Sequence, residues 1–225
     1  MFIGHFAVGF ALKRVAPRTS LGVLIAAPQA LDLLWPIFLL LGWERVRIDP
    51  GNTAFTPLAF DSYPYSHSLL MAVVWAAMFA ALYLFRTRLG AASLWIAVAV
   101  VSHWVLDWIT HRPDMPLTPW SSTKVGLGLW NSIPATLIVE SAMFAAGAWI
   151  YLRTTRARDR MGRVNLWLYI TALALMYVGN VVGPPPPDVR SVAIVALGLW
   201  LLPLWAAWID RHRAAVFAGG AASTV

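Results

Sequence analysis

Six stretches of this chain are too long and too apolar for ordinary water-exposed helices. They run roughly over residues 20–42, 67–85, 90–111, 133–152, 164–182 and 190–209. Crossing ~30 Å of hydrocarbon takes ~20 helical residues, and each stretch is near that length. In hydrocarbon every backbone N–H and C=O must be bonded within the protein, so runs of this kind cross as helices. The sequence therefore predicts an all-α polytopic membrane bundle of about six transmembrane helices. A shorter apolar run over 2–15 reads as a half-spanning or interfacial helix, because it is too short to cross. Its charges, Lys13 and Arg14, follow the apolar run, the reverse of a cleavable signal.

Charge patterning sets the expected orientation. Twelve of the seventeen Lys/Arg fall on one side: Lys13, Arg14, Arg18, Arg86, Arg88, Arg153, Arg156, Arg158, Arg160, Arg163, Arg211 and Arg213. The other side carries Arg45, Arg47, Arg112, Lys124 and Arg190. The positive-inside rule puts the richer side, and with it the C-terminus, in the cytoplasm. The same grouping explains the net charge of +7 without nucleic acid, because the basic residues sit in short runs between spans. Residues 1–212 read as a single transmembrane domain, and the Ala- and Gly-rich 213–225 as a disordered cytoplasmic tail.

The segments 43–66 and 112–132 fall on the external side as ordered lids or entry walls. The prolines at 184–187 make a stiff external turn. Trp43, Trp120 and Trp130 lie where an aromatic belt is expected. Asp61 and Asp114 read as solvated loop residues, and His212 has no role in a site.

Ionisable residues stand where the pattern forbids them. An Asp at the centre of a span costs roughly 2.5–3.5 kcal/mol. This chain nevertheless places His5, Asp32, His67, His103, Asp107, His111 and Glu140 within or at the ends of apolar runs. At ~1.5 Å per residue, His5 lies ~14 Å above Arg14, Asp32 ~18 Å beyond Ser20 and Glu140 ~20 Å from Arg153. His103 and Asp107 lie ~22 and ~28 Å past Arg88, and His67 ~28 Å before Arg86. Helices running in both directions thus deliver these groups to one slab between mid-bilayer and the external surface. The last two spans hold no Asp, Glu or His in their interiors, so the polar set belongs to residues 1–145.

Within that set, His103 and Asp107 form H-x-x-x-D, and His111 continues the same helical stripe. His and Asp one turn apart can bind one metal from one helix. The chain has no cysteine, so any metal is held by imidazole nitrogen and carboxylate oxygen, which suits Zn²⁺ or Mn²⁺. Each residue also has a structural alternative. His103, His5 and His111 fit as hydrogen-bonded core or interfacial histidines. Asp32 fits as a cap at a break near Pro28 or Pro36, His67 as a cap-related residue, and Glu140 as the partner of a loop arginine.

The elements G-H-F-A-V-G at 4–9, P-Q-A-L-D at 28–32, Y-S-H-S-L-L at 65–70 and S-H-W-V-L-D-W-I-T-H at 102–111 resemble the bacterial inner-membrane "membrane-bound metal-dependent hydrolase" family. The resemblance covers roughly residues 1–145 and implies a metal-dependent hydrolase of the inner membrane. Family members carry an acidic P-D-x-D-type stretch where this chain has Pro28, Gln29 and Asp32; Gln29 is a departure that removes one carboxylate. The order His5, Asp32, His67, His103, Asp107 is also similar to the ligand order of zinc-dependent phospholipase C and single-strand nucleases. By that similarity these five are metal ligands, while His111 and Glu140 match in order alone. The final H-x-x-x-E of that pattern is absent, since Thr136 stands in its first position.

The resulting expectation is a divalent ion, Zn²⁺ or Mn²⁺, on His5, Asp32, His67, His103, Asp107 and His111. Glu140 or Asp32 acts as general base and Arg112 clamps a phosphate. The partners are membrane lipids and a lipid or small phosphoester, or another lipid-linked ester or amide, reached from the external leaflet. A proton- or metal-ion-coupled transporter and a non-catalytic scaffold are the competing classes. No acidic or imidazole group continues the set below His5, which counts against transport.

Overall fold

The computed structural model describes residues 1–216. Among them, five helical segments are long and apolar enough to cross a membrane: Leu69–Thr87, Gly90–Thr110, Ile133–Thr154, Arg160–Val182 and Val189–Arg211. The protein is an all-α, multi-pass membrane bundle. In chain order the helices are α1 (Ile3–Leu12), α2 (Leu21–Ala26), α3 (Ala30–Leu40), α4 (Pro64–His67), α5 (Leu69–Thr87), α6 (Gly90–Thr110), α7 (Ile133–Thr154), α8 (Arg160–Val182), α9 (Val189–Leu197) and α10 (Leu201–Arg211).

The span expected over 20–42 is not one helix. It is α2 and α3 separated by a turn at residues 27–29. Pro28 has no N–H and its ring crowds the preceding turn, so the helical ladder stops there. Pro36 is accommodated inside α3. The last span is also jointed: a 3₁₀ turn at Gly198–Trp200 links α9 to α10, just ahead of Pro203, which removes one donor from the ladder. The short α1 matches the expected half-span.

Lipid is as apolar as leucine, so helices associate in it through close packing rather than through the hydrophobic effect. Small residues make that packing. Gly147 of α7 lies against the Ala7 backbone of α1, and a Cβ there would collide with it. Gly22 of α2 meets Pro203 and Ala207 of α10 in the same way. Phe6 and Phe10 of α1 enter an aromatic core with Tyr151, Tyr169 and Tyr177 of α7 and α8. A second core joins α3, α5 and α6 through Leu31, Trp35, Ala72, Ile96 and Trp104.

Among the described residues, three small antiparallel sheets close the ends. The strands β1 (Arg45–Ile48) and β2 (Leu58–Ser62) pair within the first long loop, and β3 (Met115–Pro116) pairs with β4 (Lys124–Val125) in the second. The two loops are tied together, with Tyr63 Oη donating to Asp114 Oδ1 at 2.8 Å and Phe55 stacking on Trp130 at 6.0 Å. They are ordered, as expected, but Trp130 and Asp114 are buried in their junction rather than exposed. At the other end β5 (Thr155–Ala157) pairs with β6 (Arg213–Ala215). The expected tail therefore does not begin at residue 213; the rest of it, 217–225, lies outside the described residues.

Candidate metal centre

The break between α2 and α3 builds the site. With the ladder interrupted, the Pro28 carbonyl is available and lies 2.7 Å from His103 Nδ1 on α6. A carbonyl only accepts, so His103 carries its proton on Nδ1. In the neutral ring Nε2 is then a bare lone pair. That atom lies 3.0 Å from Asp107 Oδ2, one turn along α6.

His67 reaches the same point from another direction. It ends α4, and extended Ser68 separates it from the long helix that follows. Ser68 caps that helix by accepting from Met71 N at 3.3 Å. The expected span start at 67 thus moves to 69, leaving His67 on a separate turn. Ser66 Oγ donates to Glu44 Oε2 at 2.6 Å and lies 2.6 Å from His67 Nδ1. Its one proton is used on Glu44, so Ser66 accepts from His67 Nδ1–H. His67 Nε2 is again a lone pair. Glu44 Oε1 is held in turn by the backbone N–H of Tyr65 at 2.8 Å and of Ser66 at 2.7 Å. Burial pushes the Glu44 carboxyl above the usual carboxylate range, against the pull of these hydrogen bonds.

With both rings neutral, acceptors therefore converge, and the Met1 amino group donates to the other oxygen of Asp107. His67 Nε2 and His103 Nε2 are 3.3 Å apart. His67 Nε2 lies 3.5 Å from Asp32 Oδ1 and 3.7 Å from Asp107 Oδ2, and His103 Nε2 lies 3.8 Å from Asp32 Oδ1. Among the described residues, two three-residue sets have geometry that suits an ion: Asp32, His67 and His103, and His5, His103 and Asp107. His103 belongs to both. The His5 ring stacks on that of His103, with centroids 3.8 Å apart and planes within 5°. His5 Nε2 lies 3.0 Å from Asp107 Oδ1, the oxygen that also pairs with the Met1 amino group. His5 Nδ1 has no hydrogen-bond partner. Asp32, with 26% of its side chain exposed against 5% or less for the histidines and Asp107, is the open edge of the cluster.

The remaining expected residues lie apart from this convergence. Glu140 faces the start of α1, where Oε2 accepts from Phe2 N at 2.8 Å and Gly4 N at 3.3 Å. It neutralises the positive end of that helix rather than pairing with an arginine. Its Oε1 is buried and unpartnered. His111 does not join the cluster. The helix ends at Thr110 and His111 is extended, at φ −66° and ψ 149°, so the helical stripe through His103 and Asp107 stops short of it. It lies 3.0 Å from Asp114 and packs on Trp130 at 4.3 Å. Arg112 pairs with Asp114 at 3.4 Å and is 41% exposed, at the loop surface.

Sequence reasoning missed Glu44 and Ser66 as supports of His67, and the Pro28 carbonyl as support of His103. The signal for the last was present in the proline that breaks an otherwise continuous span. Gln29, read as a missing ligand, is buried with neither amide atom bonded, an arrangement that costs about 1–3 kcal/mol when nothing fills it.

The fold and the buried imidazole–carboxylate cluster define a polytopic helical membrane protein with a polar centre inside the bundle. The model of the YdjM inner membrane protein family matches residues 64–182, more than half of the chain; the chain belongs to that family. The matched region contains His67, His103, Asp107, His111 and Glu140 and leaves out His5 and Asp32. Comparison with curated proteins and with solved structures gives no match.

Proposed function

We propose that this protein is a membrane-embedded, metal-dependent hydrolase in which Asp32, His67, His103 and Asp107 hold one divalent cation, Zn²⁺ or Mn²⁺. The observation that carries the reading is the meeting of two imidazole lone pairs and two carboxylates. Imidazole lone pairs and anionic carboxylates at such separations repel unless a positive charge stands between them, and the Met1 amino group lies on the other Asp107 oxygen, Oδ1. Five of the six pairwise separations, 3.0–3.8 Å, bracket the ~3.3 Å ligand–ligand spacing of a tetrahedral ion with ~2.0–2.1 Å bonds, while Asp32 and Asp107 fall in separate three-residue sets that share His103. Both Nδ1–H groups are anchored, His67 on Ser66 and His103 on Pro28, the outer-shell arrangement that fixes tautomer and ring in metal centres. His5 supports Asp107 from its other oxygen.

The basic ends of the helices lie opposite the two long loops, so the positive-inside rule places the C-terminus in the cytoplasm and the cluster towards the external leaflet. Lipid headgroups lie at that depth, which favours a phosphoester or other lipid-linked ester as substrate. A bound ion of this type supplies a water with pKa lowered to ~7 and polarises the scissile group. The chain supplies the rest. Asp32 faces the open edge. Glu140 Oε1, unbonded and buried, is the carboxylate oxygen left to take a proton. Arg112, paired with Asp114 at the loop surface, is the guanidinium available to a phosphate approaching from the external side.

The test is a hydrolysis screen of phospholipids and small phosphoesters with detergent-purified protein. The expected result is release of product that a chelator abolishes and Zn²⁺ or Mn²⁺ restores. Turnover indifferent to chelation overturns the metal chemistry, and metal-loaded protein with no turnover across the screen overturns the hydrolase.

A further inference from the structure

Gln29 occupies the break that makes the centre. Its predecessor Pro28 holds His103 through a carbonyl. Three residues on, Asp32 approaches both His67 and His103. Between them in the chain, Gln29 is 2% exposed, and among the described residues neither Oε1 nor Nε2 finds a partner. A buried amide is ordinarily bonded to protein. One left open in the break that carries the Pro28 carbonyl and Asp32 into the cluster marks a place prepared for a ligand that brings acceptors of its own.

We propose that Gln29 binds the substrate's anionic phosphoryl oxygen beside the metal, a role that rests on the metal-centre reading above. The converging imidazole lone pairs and carboxylates offer a phosphoryl group no hydrogen-bond donor, and the Met1 amino group is taken up by Asp107 Oδ1. Gln29 Nε2 offers two N–H groups and adds no charge. A carboxylate at the same place would add a third negative side chain to Asp32 and Asp107 and repel the anion. The neutral amide therefore selects a phosphoryl group over an uncharged ester, which gains less from a dry N–H donor. The phosphoryl group belongs either to a lipid headgroup or to a small soluble phosphoester.

The test uses full-length protein in detergent, loaded with Co²⁺, whose visible absorption reports ligands reaching the metal. Orthophosphate is titrated into native protein, Gln29→Leu and Gln29→Glu. Gln29→Leu keeps the native Co²⁺ content and weakens phosphate binding about 10- to 100-fold, the effect of deleting hydrogen bonds to a charged group. Gln29→Glu keeps Co²⁺ and weakens phosphate further. In metal-free protein Gln29→Leu melts no lower than native, because the amide supports no other part of the fold. Tighter binding of a short-chain phosphatidic acid than of orthophosphate assigns the lipid source, and equal binding assigns the soluble one; both require Gln29. Unchanged phosphate affinity in Gln29→Leu, loss of its Co²⁺, or a lowered melting temperature overturns this role alone. A native protein that takes up no Co²⁺ overturns the metal centre as well.

Discussion

Two buried polar networks sit at opposite ends of α1, and they are built on different principles. At its C-terminal end, Lys13 Nζ donates to Asp210 Oδ2 and to the Thr19 carbonyl, both at 2.8 Å. Tyr151 Oη donates to the other Asp210 oxygen at 3.3 Å. One cation faces one anion, and donors meet acceptors. At the N-terminal end, two imidazoles and two carboxylates turn acceptors toward one another, while His5 Nδ1, Gln29 and Glu140 Oε1 are left unbonded. The first network is complete as it stands and fastens α1 to α10. The second holds the Met1 amino group on Asp107 Oδ1, and on the proposed reading a cation and a ligand complete it. Burial of polar groups is common to both; the balance of donors against acceptors separates a fastening from a site.

The contrast breaks most visibly at the fastening. Lys13→Met leaves Asp210 without its cation, and loss of one member of a buried pair destabilises by about 3–5 kcal/mol. Thermal unfolding in detergent should show that loss with metal content unchanged. Adding Asp210→Leu should restore most of the stability. If Lys13→Met strips the metal instead, the two networks are one system and the contrast is lost.

A smaller effect sharpens the other side. Ser66→Ala removes the group that fixes the His67 tautomer. Supports of this kind are worth about 10- to 100-fold in metal affinity, which competition against a chelator would measure, with the unfolding temperature nearly native. Affinity equal to native would mean that the Glu44–Ser66 pair caps the loop and does nothing for the imidazole.

How much of this was legible depends on distance along the chain. The pair His103 and Asp107 was readable because helical periodicity alone puts them on one face. The same periodicity misled for His111, since it assumes a helix that stops at Thr110. Equal-depth reasoning placed His5, Asp32 and His67 near that pair, because hydrocarbon thickness constrains height. It said nothing of Glu44, whose position depends on how the first loop folds back over α4. The span over 20–42 reads as one crossing because apolar composition sets its length; a break at Pro28 or Pro36 stands as an alternative, and Pro28 creates both the break and the carbonyl that holds His103.

The smallest expected effect tests the corrected residue. His111→Ala should leave metal content untouched and loosen the loop junction by about 1 kcal/mol, the worth of an ordinary hydrogen bond, seen as a slight fall in unfolding temperature. Loss of metal would return His111 to the ligand set.

The central claim is that acceptors from α3, α4 and α6 share one cation. Elemental analysis of purified, metal-replenished protein tests it directly, on native chain beside His103→Ala and Asp107→Ala. The account predicts one tightly held divalent ion per native chain and almost none in either folded variant. Equal metal in all three, or none in the native protein, would contradict it.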